Sequence, residues 1–428
     1  MKSYTNPPNS EWATILARPT QSYEALEPIV KEVFDAVQKQ GDAALKAYTQ
    51  KFDGANPDNL LVSELEINEG ISLVSEDLQE AIKVAKANIE AFHQAQKTER
   101  VAVTTMPGVD CWQEKRAIQK VGLYIPGGTA PLFSTILMLA LPAKIAGCQE
   151  IVLCSPPNKE GKLNPAILFA AQLCGVTKIV KVGGIQAIGA MTFGTESVPQ
   201  VYKIFGPGNQ YVTTAKQMAT KFGVSIDMPA GPSELLVVAD DTANADFVAS
   251  DLLSQAEHGV DSQVVLVTTS EAFASKVTVA LEKQLAVLPR KEIAAKAVDN
   301  SKLIIVDNDE TALAIINQYA PEHYIVCVEN EGFYVENTYN AGSVFIGNYT
   351  PESAGDYASG TNHTLPTNGY AKQYSGVNLD SFTKSMTFQR LSKEGIKKLG
   401  KSIELMAEAE GLQAHKNAVT LRLKALEE

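Results

Sequence analysis

The chain is short of paired cysteine, of long apolar runs and of positive charge. Five cysteines in 428 residues form no C-x-x-C pair and are odd in number. Neither a disulfide framework nor a cysteine zinc site is therefore signalled, and the five read as small buried hydrophobes. The longest greasy run, Ile136 to Ala143, falls far below the roughly 20 residues of a membrane span. The opening MKSYTNPPNSEWATILARP carries no continuous apolar segment of leader type. A cytoplasmic protein with no membrane partner is expected. Lysine and arginine total 37 against 49 acidic residues, a net charge of −12, which is the wrong sign for a phosphate backbone. Nucleic acid is not an expected partner.

What is present fits a soluble enzyme: 45% of residues are apolar and 20% charged, and 428 residues exceed what one core holds, so two large units are expected. From Ser22, Val30, Val33, Phe34 and Val37 follow helical spacing, Gly41 stops them, and Asp42 starts a second helix. From residue 120, β-branched runs recur with helical segments between them: KVGLYI, EIVLCS, KIVKVGG and VYKIFG, then ELLVVAD, SQVVLVTT, KLIIVD, HYIVCV and SVFIG. That rhythm is the signature of βαβ units and parallel sheets. Near 350 the composition turns to Gly, Ser, Thr and Asn, which predicts a long irregular loop. Beyond Lys393, Ile396, Leu399, Ile403 and Met406 mark an amphipathic helix, and Gly411 separates it from another containing Val419 and Leu423.

Only five histidines occur, at 93, 258, 323, 363 and 415. His93, within IEAFHQAQK, reads as a half-exposed helix residue. In SQAEHG, Gln255 and His258 lie three apart, so on a helix they share a face. Asp356, in the glycine-rich loop, has a backbone free to carry its carboxylate toward a site, and His415 offers another nitrogen. A Gln, His, Asp and His set without thiolate suits zinc, with manganese or cobalt as substitutes given the share of oxygen. Glu322 and His323 stand where a loop enters the strand YIVCV. In a turn both reach one cavity, and a histidine takes a proton readily near neutral pH.

No G-x-G-x-x-G occurs, since residues 206 to 211 read GPGNQY and 183 to 189 read GGIQAIG, so an ordinary dinucleotide loop is not supported. Three glycine turns nevertheless follow strands, at Ile125 to Gly128, Val182 to Gly184 and Phe205 to Asn209. Free amides at helix starts favour phosphate, and sites in open α/β sheets lie off the carboxyl ends of strands.

GLYIPGGTAPLFST, VGGIQAIGAMTFGT, KIFGPGNQYV, DMPAGPSE, SQAEHG, APEHY, NAGSVFIG and SAGDYASGTNHTLPT follow one another over about 250 residues. In this order they closely resemble the histidinol dehydrogenases. The resemblance implies a homodimeric, zinc-containing, NAD-dependent enzyme that oxidises L-histidinol to L-histidine through the aldehyde, reducing two NAD. It implies Gln255, His258 and Asp356 as metal ligands, with His415 contributed by the partner subunit, and Glu322 and His323 as the acid/base pair. Ser233, His363 and Glu410 match substrate-contacting positions alongside the metal ligands and the acid/base pair; Tyr124, Gln186 and Asn209 match NAD contacts. The implied fold is α/β, with two incomplete Rossmann-like domains holding parallel sheets. The expected division is an N-terminal segment (1–21), a first domain (22–120 and 234–377) with metal and catalytic residues, an inserted NAD-contacting domain (121–233) and a helical C-terminal dimerisation arm (378–428). Alternatives from the residues are a related dehydrogenase for another amino or sulfonated alcohol, a metal-dependent hydrolase using Glu322 to activate water, and a non-catalytic nucleotide- or metal-binding regulator.

Overall fold

A computed structural model describes residues 1–19, 23–127, 131–229 and 231–427. Ser22, where the first helical spacing begins, and Gly128 of the first glycine turn lie outside the described residues. The chain divides into two compact units, one of residues 1–96 and 118–382, the other of residues 97–117 and 383–428.

The larger unit holds two parallel sheets. The first runs Lys178–Lys181, Glu150–Ser155, Lys120–Tyr124, Lys203–Phe205, Ser225–Ile226 across its width. In chain order that is 3-2-1-4-5, the doubly wound order without its sixth strand. The second runs Lys302–Ile305, Gln263–Thr268, Glu234–Ala239, His323–Cys327, Ser343–Ile346, again 3-2-1-4-5, and Lys2–Thr5 adds a parallel edge strand beside Lys302–Ile305. All nine apolar runs picked from the sequence are these strands.

Both faces of each sheet are covered, so their strands are apolar at nearly every position. Side chains alternate between faces: Leu235 and Val237 enter one core, Leu236 and Val238 the other. The helices Tyr23–Gln40 and Asp42–Asp53 pack Val30, Phe34, Val37 and Leu45 onto the five-stranded sheet with Val152, Val180 and Ile188. The helix Glu76–Ala95 covers the opposite face through Ile82 and Ile89. Sequence pattern had grouped residues 22–120 with the other sheet. An amphipathic stripe shows that a helix is packed but not against which sheet.

The smaller unit pairs Val101–Met106, Val109–Ala117 and Thr383–Leu391 in an antiparallel sheet, followed by the helices Lys393–Ala409 and Gln413–Lys424. The stretch expected to be a helical arm from 378 instead opens with a short 3-10 turn, Leu379–Phe382, that belongs to the larger unit, and then the strand Thr383–Leu391 before its helices. Among the described residues no helix is long and apolar enough to cross a membrane.

The turn Gly206–Asn209, after the fourth strand of the first sheet, is pinned by a buried ion pair. Lys216 Nζ lies 2.5 Å from Asp227 Oδ1 and donates to the Gly206 carbonyl at 2.8 Å. The Gly206 N–H donates to Asp227 Oδ2 at 2.9 Å. Gly206 has φ 128°, and a Cβ there would collide with the Tyr124 carbonyl, so this close approach requires glycine. Removing one partner of a buried pair costs about 3–5 kcal/mol because the other charge is left uncompensated. Lys216→Met is therefore expected to speed amide exchange around residues 205–212 by roughly 100-fold or more. The strands of the second sheet should keep their protection in the same mass-spectrometric measurement.

Candidate active site

The second sheet supplies the site from the amino ends of its strands. His323 is the first residue of its strand and pairs in register with Leu235, so Glu322 and Glu234 arrive side by side. The Glu234 N–H donates to Glu322 Oε2 at 2.9 Å, and the Glu234 carbonyl lies 3.4 Å from His323 Nδ1. The backbone of one residue, through its N–H and its carbonyl, thus steadies both members of the pair. Glu322 and His323 are buried, their polar atoms 3.6 Å apart, rather than sitting in a solvated turn.

Asp356 is not on irregular backbone. It lies on a short helix, Glu352–Tyr357, inside the stretch expected to be a loop. Four residues earlier, Glu352 shares its face. Asp356 Oδ1 comes within 3.3 Å of His323 Nε2, while Glu352 is fully buried behind it. Gln255 sits buried in the last turn of the helix Ala245–Ala256, and His258 follows just past its end, exposed, with its N–H bonded to the Gln255 carbonyl at 3.3 Å. With its amide nitrogen turned toward Glu352, the Gln255 side-chain oxygen accepts from the Glu234 N–H at 3.0 Å.

The ionisation of this cluster is set by burial and by its own charges. Desolvation alone would lower the proton affinity of His323, but Glu352, Glu322 and Asp356 reverse this and hold it well above the ordinary histidine value. Burial, then repulsion from Asp356 and Glu322, drives the Glu352 carboxyl well up despite the attraction of His323. Asp356 resists its own burial and is lowered, chiefly by His323.

Ligand atoms of His258, Glu352 and Asp356 all lie within 4.8 Å of one another, the reach of a single ion. With Gln255 beside them this is a nitrogen-and-oxygen set around excess negative charge, which suits a divalent cation.

Two cavities open here. One of about 250 Å³ is lined by Ser233, His258, Glu322, His363 and Asn209. The other, of about 1090 Å³, is lined by Tyr124, Gln186 and, again, Asn209. Tyr124 ends the first strand of the five-stranded sheet, Asn209 caps the helix after the fourth, and the Tyr124 hydroxyl accepts from the Gly184 N–H at 3.2 Å. This is the carboxyl-end crevice where strand order reverses. Gln186 is 0% exposed, and neither of its amide atoms has a partner.

His363 contacts the Asp356 carbonyl through Nδ1 at 2.8 Å and Thr135 Oγ1 through Nε2 at 3.0 Å, so both ring nitrogens are already engaged. His93 corrects the expectation of a half-exposed residue: it is fully buried, 2.9 Å from the Ile89 carbonyl and 3.2 Å from Asn362 Nδ2. Glu410 and His415 lie in the smaller unit, both exposed, at the end of one helix and in the first turn of the next.

The family model described as histidinol dehydrogenase matches residues 16–423. The chain belongs to the histidinol dehydrogenase family. It is similar to the histidinol dehydrogenase of Bacteroides thetaiotaomicron, 59% identical over 426 residues and covering 100% of both chains. It is also similar to that of Shigella dysenteriae serotype 1, 54% identical over 417 residues, covering 97% of this chain and 95% of the relative. A crystal structure of histidinol dehydrogenase from Elizabethkingia anophelis aligns with a TM-score of 0.97 at 56% identity, covering 100% of this chain and 99% of that one. The doubly wound α/β fold is thus shared with a solved member of this oxidoreductase family.

Three site residues escaped the sequence reading of this histidinol dehydrogenase relative. Glu352 carried a usable signal, its four-residue spacing from Asp356. Glu234 and Arg18 carried none. Arg18 donates through Nε to Glu234 Oε2, through its second nitrogen to Oε1 at 3.0 Å and to the Tyr319 carbonyl at 2.6 Å, and stacks 3.9 Å over the Tyr319 ring. It thereby clamps the residue whose backbone N–H and carbonyl meet Glu322 and His323. Arg18→Met should cost about 3–5 kcal/mol in denaturant unfolding by leaving the Glu234 carboxylate unpaired. Adding Glu234→Gln should recover most of that loss.

Proposed function

We propose that this chain oxidises L-histidinol to L-histidine through L-histidinaldehyde, reducing two NAD per product, in the last steps of histidine biosynthesis. Family membership supports the substrate. The single observation that carries the chemistry is that two cavities share Asn209 in their walls: a small one flanked by a histidine–carboxylate cluster, and a large one lined by the unpartnered Gln186 amide and sized for a dinucleotide.

Gln255, His258 and Asp356, with His415 of the partner subunit, would hold the metal, zinc being favoured by the donor set and manganese or cobalt being possible substitutes. Such an ion supplies a fixed anchor for the amine and imidazole nitrogens of the substrate. Around that anchor this chain's residues carry the proton steps. Tyr124, Gln186 and Asn209 would hold NAD, whose nicotinamide would supply the hydride acceptor, and His323 takes the hydroxyl proton of the carbinol. Glu322 removes a proton from the water that adds to the aldehyde. His323 then serves again, taking a hydroxyl proton of the hydrated aldehyde as the second hydride leaves. Glu352 keeps His323 and Gln255 oriented, and Ser233, His363 and Glu410 border the substrate.

A dimer with shared sites is part of the same proposal. In the smaller unit Leu405, Met406, Leu412 and Leu421 are exposed near Glu410 and His415. An apolar face of this kind suits burial against a second copy.

Full-length protein given L-histidinol and NAD should form histidine with two reduced cofactors per product. The reaction should stop after chelation and return with added zinc. Hydrolysis without absorbance at the reduced-nicotinamide band would defeat the proposal. Co-expressed His415→Asn and His323→Asn chains, each inactive alone, should regain activity in mixed dimers, one of whose two sites is intact. No recovery in verified heterodimers rejects the sharing.

A further inference from the structure

The cavity of about 1090 Å³ contains one acidic group with no task in the steps above. Asp53 ends the helix Asp42–Asp53 and lines this cavity but not the smaller one. Its Oδ2 is sealed from water without a hydrogen-bond partner, and no lysine or arginine forms an ion pair with it among the described residues. Its position at a helix C-terminus sets it against the negative end of the helix dipole. Burial alone pushes its carboxyl up to about 6, so at neutral pH it is largely a carboxylate that the protein leaves uncompensated.

The rest of the wall narrows the choice of partner. Phe52, 49% exposed, and Tyr211, 42% exposed, offer flat faces suited to a planar base. Lys159 and Lys162 are the cations that line the cavity, suited to a pyrophosphate. Gln186, both donor and acceptor, matches an amide. An ionised carboxylate only accepts, so its complement is a hydroxyl, and the position beside Phe52 sets that hydroxyl on the sugar of the stacked base.

We propose that Asp53 accepts the 2′-hydroxyl of the adenosine ribose and repels a 2′-phosphate, making this carboxylate the determinant that selects NAD over NADP. The inference rests on the proposal that this cavity takes a nicotinamide dinucleotide. An acidic residue does the same work in complete Rossmann folds, where it follows the glycine fingerprint. Here the fingerprint is missing, and the acid comes from a helix that precedes the whole sheet.

The test is calorimetric titration of the full chain with NAD, NADP and 2′-deoxy-NAD. Wild-type protein should bind NAD at least roughly tenfold more tightly than either analogue, the scale of one charge-assisted hydrogen bond. Asp53→Asn should narrow the NAD-to-NADP ratio by about tenfold, mainly by strengthening NADP, while Asp53→Glu should retain the preference. A wild-type chain that binds no NAD removes both the dinucleotide cavity and this inference. A chain that binds NAD but treats 2′-deoxy-NAD as its equal overturns the role of Asp53 alone, without any variant. So does an Asp53→Asn protein in which NAD and NADP weaken by the same factor, the mark of a merely structural residue.

Discussion

Four ionisable side chains, Glu322, His323, Glu352 and Asp356, share one largely buried pocket, and the charges they carry must balance there. Water screens them weakly, so each must find its counterpart in the protein or in a ligand. His323 faces that negative charge, which raises its affinity for a proton against the effect of burial. The Glu234 N–H answers part of that charge by donating to Glu322. What remains is a negative excess facing His258, at a spacing that one divalent ion fills. Much of the surrounding architecture serves this arrangement: the short helix that aligns Glu352 with Asp356, the register that sets Glu234 beside Glu322, and the Arg18 guanidinium that holds Glu234 from behind.

The two parallel sheets have the same strand order and opposite uses. The five-stranded sheet presents its carboxyl ends, where glycine turns and helix starts offer free amides. The other sheet presents the amino ends of its strands, where the N–H of Glu234 is available to a buried carboxylate. Two repeats of one topology thus contribute different chemistry to one place, which is why Asn209 borders both cavities.

Much of this was legible in the residues. The strands announced themselves because sheets covered on both faces demand unbroken apolar runs. Gln255, His258, Glu322, His323 and Asp356 were found because scarce histidines beside amides and carboxylates are conspicuous, and the structure brings all five together. Glu352 was not, because a glutamate in a Gly- and Ser-rich stretch looks solvated until the chain is seen to form one helical turn. His93 was placed half-exposed although it continues the stripe of Ile82 and Ile89. A polar residue on an apolar face is read by its chemistry before its position. Arg18 grips Glu234 from 216 positions away, and Asp53 joins a cavity wall built mostly from residues beyond 120, so local pattern carries no trace of either.

The edge strand Lys2–Thr5 is made first and docked late. Its partner, Lys302–Ile305, is 300 positions further along, and at about 5–20 residues per second a ribosome needs tens of seconds to deliver it. Arg18 waits likewise for Glu234, 216 positions on, and for the Tyr319 carbonyl, 301 positions on. Contacts so distant in sequence are slow to form, so a nascent chain passes through a long interval in which its sheets are partly assembled while the reactive pocket lacks its rear support.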